Sequence, residues 1–279
     1  MKNILLPTDF SNNSFNAIKY AVDLFKNKDC TFHLLNVYKV PYLTNEELMD
    51  NDAQQLARIE KELYESSQKG LDEIVKKVNT ESNHNFKVFS DYNFLTNSVK
   101  QILKREEIDL IVMGTKGATG AKEIFMGSNT GDVLMKTDCS LLAVPEDSKY
   151  KAPSEITFVT DFRIHYKEEL ETLINLAKEN HSSIRILHLL NEGKLDEEQI
   201  HNKKVLIKLL DKIDHTFHTL TNTDFETAVN CFTQSRGNID MITIIAKHYN
   251  IFQRLFFKPK VEDLSFHTKI PLLVLHKNK

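Results

Sequence analysis

The chain has 279 residues, of which 41% are hydrophobic and 27% are charged, an ordinary composition for a globular protein. Its formal net charge of −3 excludes the strong positive field of most nucleic-acid-binding proteins, and no apolar run approaches the ~18 residues of a membrane helix. The three cysteines lie far apart, which argues against a disulfide framework or a cysteine zinc site. We therefore expect a cytoplasmic protein of one large or two small domains, with no nucleic-acid or membrane partner.

The first elements of the chain are predicted to be a strand, a helix and a second strand. Residues 4–6 form a short buried-strand pattern, and Ser11 and Ser14 are candidate caps for the helix that follows. Apolar residues recur at helical spacing from Ala17 to Phe25. The apolar run 32–38 then indicates the second strand.

The rest of the first half continues this alternation. Thr44 and Glu47 fit a capping box, and apolar residues from Leu56 to Val78 predict a long helix. The elements expected after it are a strand at 86–90, a helix at 97–108, an apolar strand at 109–114, a helix, and a last strand at 140–145. Apolar strands that alternate with helices indicate a parallel sheet covered on both faces. Ligands of such sheets bind at the carboxyl ends of the strands, near a switch in strand order.

Five of the eight glycines fall within residues 113–133, between the apolar strand and the next helix. Glycine lets backbone approach a ligand closely, and the free N–H groups at a helix N-terminus favour phosphate. Gly127, Ser128 and Thr130 lie where that helix is expected to begin. The glycine spacing matches neither the P-loop nor the G-x-G-x-x-G dinucleotide motif.

The chain also repeats itself. Thr8-Asp9-Phe10 returns as Thr160-Asp161-Phe162, and the run 108–113 returns at 239–244. The first pair is offset by 152 residues and the second by 131, so the second half is shorter by 21 residues in its middle. The repeat predicts two domains of one fold, residues 1–147 and 154–279, joined by a short polar linker.

The pattern Gly114-x2-Gly117-x9-Gly127-Ser128, together with the opening run ILLPTDFSNNS, resembles the nucleotide-binding signature of the universal stress protein (UspA-type) family. The two α/β halves resemble the family's tandem two-domain members. The resemblance implies two tandem α/β domains, each a five-stranded parallel sheet with helices on both faces, in a Rossmann-like fold of the adenine-nucleotide α-hydrolase type. It also implies that the protein binds ATP, or AMP or ADP, with Mg²⁺ as an accompanying ion.

By this resemblance the first half holds the nucleotide. Asp9 reaches the ribose end, Val37 lines the adenine through its backbone, and the glycine loop holds ribose and phosphates. The expected nucleotide-binding set is Pro7, Thr8, Asp9, Val37, Met113, Gly114, Gly117, Gly127, Ser128, Asn129 and Thr130. No catalytic residue and no metal ligand are assigned. From the residues alone, Asp9 is as well explained as a cap of the first helix, and the two roles are compatible.

The second half lacks the glycine pattern. At the offset of 131, the positions of Gly114, Gly117, Gly127 and Ser128 are taken by Ile245, His248, Lys258 and Pro259. Proline has no N–H group to donate, and bulky side chains block close backbone approach. We therefore expect one nucleotide site per chain, in the first domain, and a degenerate second domain.

The leading functional prediction is an ATP-binding stress-response protein with a regulatory role, whose nucleotide state alters its contacts with a protein partner. The alternatives are a slow ATPase or nucleotidyl-transfer enzyme, and a purely structural pseudo-dimer with a vestigial site. In the universal stress protein family the last strand often mediates dimerisation, so the resemblance implies that the runs 141–145 and 271–275 pair the two halves within one chain. A homodimer of whole chains is left open.

Two further groups of residues are assigned no function. His215 and His218 lie three apart on an expected helix and are interpreted as surface histidines rather than metal ligands. Cys139 is interpreted as a buried, inert thiol.

Overall fold

The computed structural model describes residues 2–39, 53–78, 84–115, 128–163, 167–190, 193–246 and 269–276. The first half contains the strands β1 (Lys2–Thr8), β2 (Cys30–Tyr38), β3 (Asn85–Tyr92), β4 (Leu110–Gly114) and β5 (Leu141–Val144). Its helices are α1 (Asn12–Leu24), α2 (Ala53–Val78), α3 (Leu95–Arg105) and α4 (Ser128–Lys136).

The second half repeats this order over its described residues. Its strands are β6 (Glu155–Thr160), β7 (Ser183–Leu190), β8 (His215–Thr221), β9 (Met241–Ile245) and β10 (Leu272–Leu275). Its helices are α5 (Glu171–Asn180), α6 (Glu197–Leu209) and α7 (Phe225–Arg236). None of the helices in the described ranges is long and apolar enough to cross a membrane.

All ten strands belong to one sheet, in the order β3-β2-β1-β4-β5-β10-β9-β6-β7-β8. Pairing is parallel within each half, which confirms the two predicted five-stranded parallel sheets. The halves meet where β5 and β10 run antiparallel, with Leu273 opposite Leu142. The expected pairing of the two last strands is therefore confirmed.

The apolar strands are buried because helices cover both faces of the sheet. Alternate residues of a strand point to opposite faces, so Leu6 of β1 packs with α1 and α2, whereas Leu5 packs with α3 and α4. The core on the α1 side runs without a break into the second half, where it includes Phe158 and Leu173. The two halves thus share a core as well as a sheet.

The predicted helix starts and ends are mostly confirmed. Ser11 caps α1 by accepting a hydrogen bond from the Ser14 backbone N–H at 3.2 Å. The long helix predicted over 56–78 is α2, while the proposed capping box at Thr44 lies outside the described residues. The helix predicted over 97–108 ends earlier, at Arg105, because Glu107 takes a left-handed conformation with φ of 47°.

The prediction that His215 and His218 lie on a helix is wrong, because both belong to the edge strand β8. The segment HTFHTLT is rich in threonine and aromatic residues, which favour strands. Residues three apart on a strand point to opposite faces, so the two imidazoles do not share a ligand. Within the described ranges, no group of three or more His, Cys, Asp or Glu residues is placed to hold a metal ion.

The cysteines are as predicted. All three are free thiols, and Cys139 is buried, as is Cys30.

The repeated runs 108–113 and 239–244 each begin with Ile-Asp, and the two aspartates, Asp109 and Asp240, have the same structural role. The Asp109 carboxylate accepts a hydrogen bond from the Asn3 backbone N–H at 2.8 Å. The Asp240 carboxylate accepts from the backbone N–H groups of Ser154 and Glu155 at 2.7 and 3.2 Å. Each aspartate therefore ties the start of the fourth strand of its half to the start of the first.

Replacing Asp240 by Asn is expected to lower the free energy of unfolding by about 1–3 kcal/mol at pH 7, because charge-assisted hydrogen bonds are lost. Burial raises the pKa of the Asp240 carboxyl, but hydrogen bonds from Lys151, Ser154 and Glu155 outweigh burial and hold that pKa below its ordinary value. A depressed carboxyl pKa stabilises the fold above the unfolded-state pKa of about 3.9 and ceases to do so as pH falls through the folded-state pKa. Urea unfolding of both proteins between pH 7 and pH 3 should therefore show the difference shrinking below about pH 4.

Asp109→Asn is the matched control, because Asp109 occupies the same place in the first half but is exposed. We expect a smaller loss of stability in this variant. Equal losses in the two variants, or a difference for Asp240→Asn that persists unchanged at pH 3, would contradict this account.

Candidate functional site

The carboxyl ends of β1, β2 and β4 lie together at one edge of the sheet. Strands β2 and β3 lie on one side of β1, whereas β4 and β5 lie on its other side. The strand order therefore switches between β1 and β4. The parallel pairing brings Thr8, Val37 and Gly114 to this edge, at or next to the last residues of their strands. The edge is the position at which α/β sheets of this kind bind ligands.

The Thr8-Asp9-Phe10 segment forms a tight turn between β1 and α1. Phe10 is left-handed, with φ of 63°, and its backbone N–H donates to Thr8 Oγ1 at 3.0 Å. Asp9 Oδ1 accepts from the Ser11 backbone N–H at 3.0 Å. Asp9 therefore supports the turn that leads into α1, but Ser11 rather than Asp9 is the N-cap of that helix, and Asp9 is also exposed at the edge where a ligand would lie.

The second half builds the same turn. Phe162 has φ of 61°, and its backbone N–H donates to Thr160 Oγ1 at 3.0 Å. Asp161 Oδ1 accepts from the Arg163 backbone N–H at 2.9 Å. The turn is therefore a feature of the fold, and its presence alone does not mark a ligand site.

What surrounds the turn differs between the halves. Phe10 is 42% exposed, whereas Phe162 is 1% exposed and stacks on His188 with ring centroids 4.3 Å apart. The amides of Gln199 and Asn202 on α6 donate to the carbonyl oxygens of Asp161 and Phe162, each at 2.8 Å. Helix α6 thus covers the turn of the second half, while the turn of the first half is open.

Burial also determines the state of the covered histidine. It lowers the pKa of His188, against the opposing effect of the Asp161 carboxylate. His188 is therefore held as a neutral ring within the packed turn.

Gly114 permits a close approach between β4 and α1. A Cβ atom placed on Gly114 would lie 2.4 Å from Asn13 Nδ2, well inside van der Waals contact. The Thr130 hydroxyl of α4 donates to the Gly114 carbonyl oxygen at 2.7 Å, and Thr130 is buried. The end of β4 is thus fixed from both sides, by the first turn of α1 and by the first turn of α4.

The residues at the start of α4 suit an anion. Ser128 and Asn129 are exposed in its first turn, where backbone N–H groups and the helix dipole favour negative charge. Next to Gly114, the Thr115 hydroxyl is buried and has no hydrogen-bond partner among the described residues. Gly117 and Gly127 lie outside the described residues.

A chain of buried polar side chains behind the turn was not anticipated from the sequence. Asn36 Nδ2 donates to the Thr8 carbonyl oxygen at 2.8 Å, and the Ser67 hydroxyl of α2 donates to Asn36 Oδ1 at 2.7 Å. The Ser90 hydroxyl of β3 in turn donates to Ser67 Oγ at 2.6 Å. The signal in the sequence was an asparagine near the end of the mostly apolar run FHLLNVY.

Two further features flank this chain. Tyr38 and Tyr92, at the ends of β2 and β3, have ring centroids 5.9 Å apart. A cavity of about 290 Å³ lies beside the edge strand β3, where its lining includes Ser90, Asp91 and Arg105. The polar chain therefore runs from this cavity to the Thr8-Asp9-Phe10 turn.

Gly114→Ala is expected to lower the free energy of unfolding by about 1–3 kcal/mol, because the added methyl group displaces the buried Asn13 side chain. Gly131→Ala is the matched control, since a Cβ there meets nothing within 4 Å. In the interior of α4 it should raise stability by roughly 0.5–1 kcal/mol. Chemical denaturation measures both, and a neutral Gly114→Ala would refute the packing role.

Comparisons with known proteins agree with this architecture. Residues 1–145 match the model of the universal stress protein family. Universal stress proteins MJ0531 and MJ0577 of Methanocaldococcus jannaschii are each 28% identical to this chain, over 151 and 157 residues. These alignments cover 53% and 51% of this chain, and 84% and 94% of the two relatives.

A universal stress protein from Archaeoglobus fulgidus has a similar fold over the whole length. Its crystal structure superposes with a TM-score of 0.67 at 18% identity, and the match covers 99% of this chain and 96% of that one. The family match spans β1 to β5, which include the open turn, the end of β4 and the start of α4. The chain belongs to the universal stress protein family.

Proposed function

We propose that this protein is a tandem universal stress protein that binds one adenine nucleotide in its first domain, residues 1–147. The second domain, residues 154–279, is a degenerate copy that holds no nucleotide. The observation that carries this proposal is the difference between the two turns. The same turn is open beside Gly114 and α4 in the first half, and buried under α6 in the second.

In this proposal, residues of the first domain contact each part of the nucleotide: the base, the ribose and the phosphates. The exposed Asp9 carboxylate suits ribose hydroxyls, next to Pro7 and Thr8 at the end of β1. Val37, half-buried near the end of β2, lines the adenine through its backbone. This places base and ribose over the carboxyl ends of β1 and β2.

The phosphates lie toward β4 and α4 in this proposal. Met113 and Gly114 form the floor, and Ser128, Asn129 and Thr130 open the helix that faces the anion. The family resemblance assigns Gly117 and Gly127 to the same phosphate site. Since the Thr130 hydroxyl is bonded to the Gly114 carbonyl oxygen, Thr130 contributes its position and backbone rather than a free hydroxyl. The ligand is ATP, ADP or AMP, and Mg²⁺ bound with it would neutralise phosphate charge.

The second domain has a structural role in this proposal. Ile245 occupies the place of Gly114 and is buried at the end of β9, where it leaves no room for close backbone approach. Phe162, His188 and the α6 amides fill the edge that the first domain leaves open. The second domain contributes strand β10, which pairs with β5 of the first domain.

We propose a regulatory role in the cytoplasm rather than a catalytic one. β4, which carries part of the site, pairs with β5, and the Thr115 backbone N–H donates to the Val144 carbonyl oxygen at 3.1 Å. The nucleotide would thus lie one strand away from the joint between the domains. Its presence or absence can therefore alter the surface offered to a protein partner or to a second copy of the chain.

Titration calorimetry with ATP tests the proposal and should give one nucleotide per chain. Asp9→Ala should weaken binding about tenfold, the equivalent of one charge-assisted hydrogen bond, while the matched variant Asp161→Ala leaves it unchanged. Gly127→Val combined with Ser128→Ala should abolish binding in a folded protein. Two nucleotides per chain, or equal effects of the two aspartate variants, would sink the one-site proposal.

A single-turnover experiment separates a binding protein from an enzyme. With protein in excess over ATP, we expect the bound nucleotide to remain ATP over many minutes. Rapid stoichiometric formation of ADP would instead establish an ATPase and refute the assignment as a binding protein.

A further inference from the structure

The Thr8-Asp9-Phe10 turn is held from inside the sheet by the Asn36 side chain. Asn36 is 6% exposed and lies on β2 directly opposite Thr8 in the parallel register. Its Nδ2 donates to the Thr8 carbonyl oxygen at 2.8 Å, which fixes the peptide plane that leads into Asp9. The local hydrogen bonds of the turn fix its shape, whereas Asn36 fixes its position relative to β2.

The orientation of Asn36 is itself determined by two serines. Ser67 is 3% exposed on α2 and donates to Asn36 Oδ1 at 2.7 Å, so the amide nitrogen is directed at Thr8. Ser90 on β3 donates to Ser67 Oγ at 2.6 Å. A hydrogen-bonded chain, buried at Asn36 and Ser67 and half-buried at Ser90, therefore links three elements to the turn, and an amide in such a chain has one favourable orientation.

The second half holds the equivalent turn in a different way. The position of Asn36 is taken by His188, which lies opposite Thr160 and stacks on Phe162. His188 also hydrogen-bonds the Asp161 backbone, and amides from the covering helix α6, those of Gln199 and Asn202, bind the turn carbonyls in addition. Both arrangements hold the turn, but they differ in how exposed the turn is. The helix amides bury it, and the strand amide leaves it exposed.

We propose that Asn36 is a positioning residue for the nucleotide site, oriented by Ser67 and Ser90, and that it holds Asp9 in place while keeping the turn open to ligand. The inference rests on the proposed function, because its effect is on nucleotide binding. Asn36 does not itself touch the nucleotide. It acts through the Thr8 carbonyl and so through the placement of the Asp9 carboxylate.

Asn36→Ala should weaken ATP binding about tenfold, because the loss of one buried hydrogen bond frees the turn to move. Ser67→Ala should weaken it about threefold, and Ser90→Ala less than twofold, because each lies one step further from the turn. Asn202→Ala is the matched control. It removes a buried amide that binds the turn of the second half, so it should lower stability and leave ATP affinity within twofold of the wild type.

A double-mutant cycle with Asp9→Ala separates positioning from a general structural effect. If Asn36 acts through Asp9, the double variant Asp9→Ala/Asn36→Ala should bind ATP about as weakly as Asp9→Ala alone. A purely structural role of Asn36 would make the two losses multiply. Thermal unfolding of every variant establishes that the protein is folded at the temperature of the titration.

The outcomes are distinct. Three outcomes would each overturn the inference while the proposed function stands. They are an ATP affinity of Asn36→Ala within twofold of the wild type, equal losses of ATP affinity for Asn36→Ala and Asn202→Ala, and independent effects in the double-mutant cycle. A wild-type protein that binds no ATP would overturn both. If Asn36→Ala does not fold, the threefold loss expected for Ser67→Ala, and its coupling to Asp9→Ala, decide the matter.

Discussion

The antiparallel pairing of β5 with β10 is the contact on which the rest of the structure depends. Three consecutive residue pairs are in register across it, and the side chains from Leu141 to Ala143 and from Leu273 to Val274 are almost completely buried. Ion pairs between the halves, such as Lys28 with Glu179 at 3.3 Å, are partly exposed and add little. The halves are therefore joined by apolar side chains buried on both faces of the shared sheet. The residues at the carboxyl edge can consequently differ between the two halves.

Because the two halves have one fold, features present in both report what the fold requires. The left-handed turns at Phe10 and Phe162 and the aspartates Asp109 and Asp240 recur with the same hydrogen bonds. A motif such as Thr-Asp-Phe is thus explained without a ligand. Features confined to one half, including the exposed Phe10 and the Asn36 chain, need another explanation, which the nucleotide site proposed for the first half would supply.

Much of this arrangement follows from the sequence because it depends on local pattern. Apolar runs and helical spacing predict the strands and helices, the repeat offsets predict two halves, and the family resemblance predicts the pairing of their last strands. The parallel order then places Thr8, Val37 and Gly114 at one edge. Each step uses residues close in sequence or copied between the halves.

The contacts that the sequence does not reveal are those between distant polar side chains. Asn36 meets Ser67 across 31 positions, and Gly114 is needed because Asn13 packs against it. Neither pair has a periodic signature. The helix predicted at the histidines of β8 is wrong because the threonine and aromatic residues around them favour a strand, which pairing with β7, a segment distant in sequence, also holds.

The side chains that α2 and α6 direct toward the turns explain how one edge stays open. α2 has 26 residues and α6 has 13, and the buried face of each helix packs near the turn of its half. α2 presents small residues there: Ser67, and Gly70, where an added Cβ would lie 2.7 Å from the Phe10 ring. α6 presents Gln199 and Asn202, whose longer amides reach the turn carbonyls and close over them. An open edge thus requires small side chains on the covering helix. Because such side chains do not reach the turn, a polar group on the neighbouring strand must hold it, and Asn36 is that group.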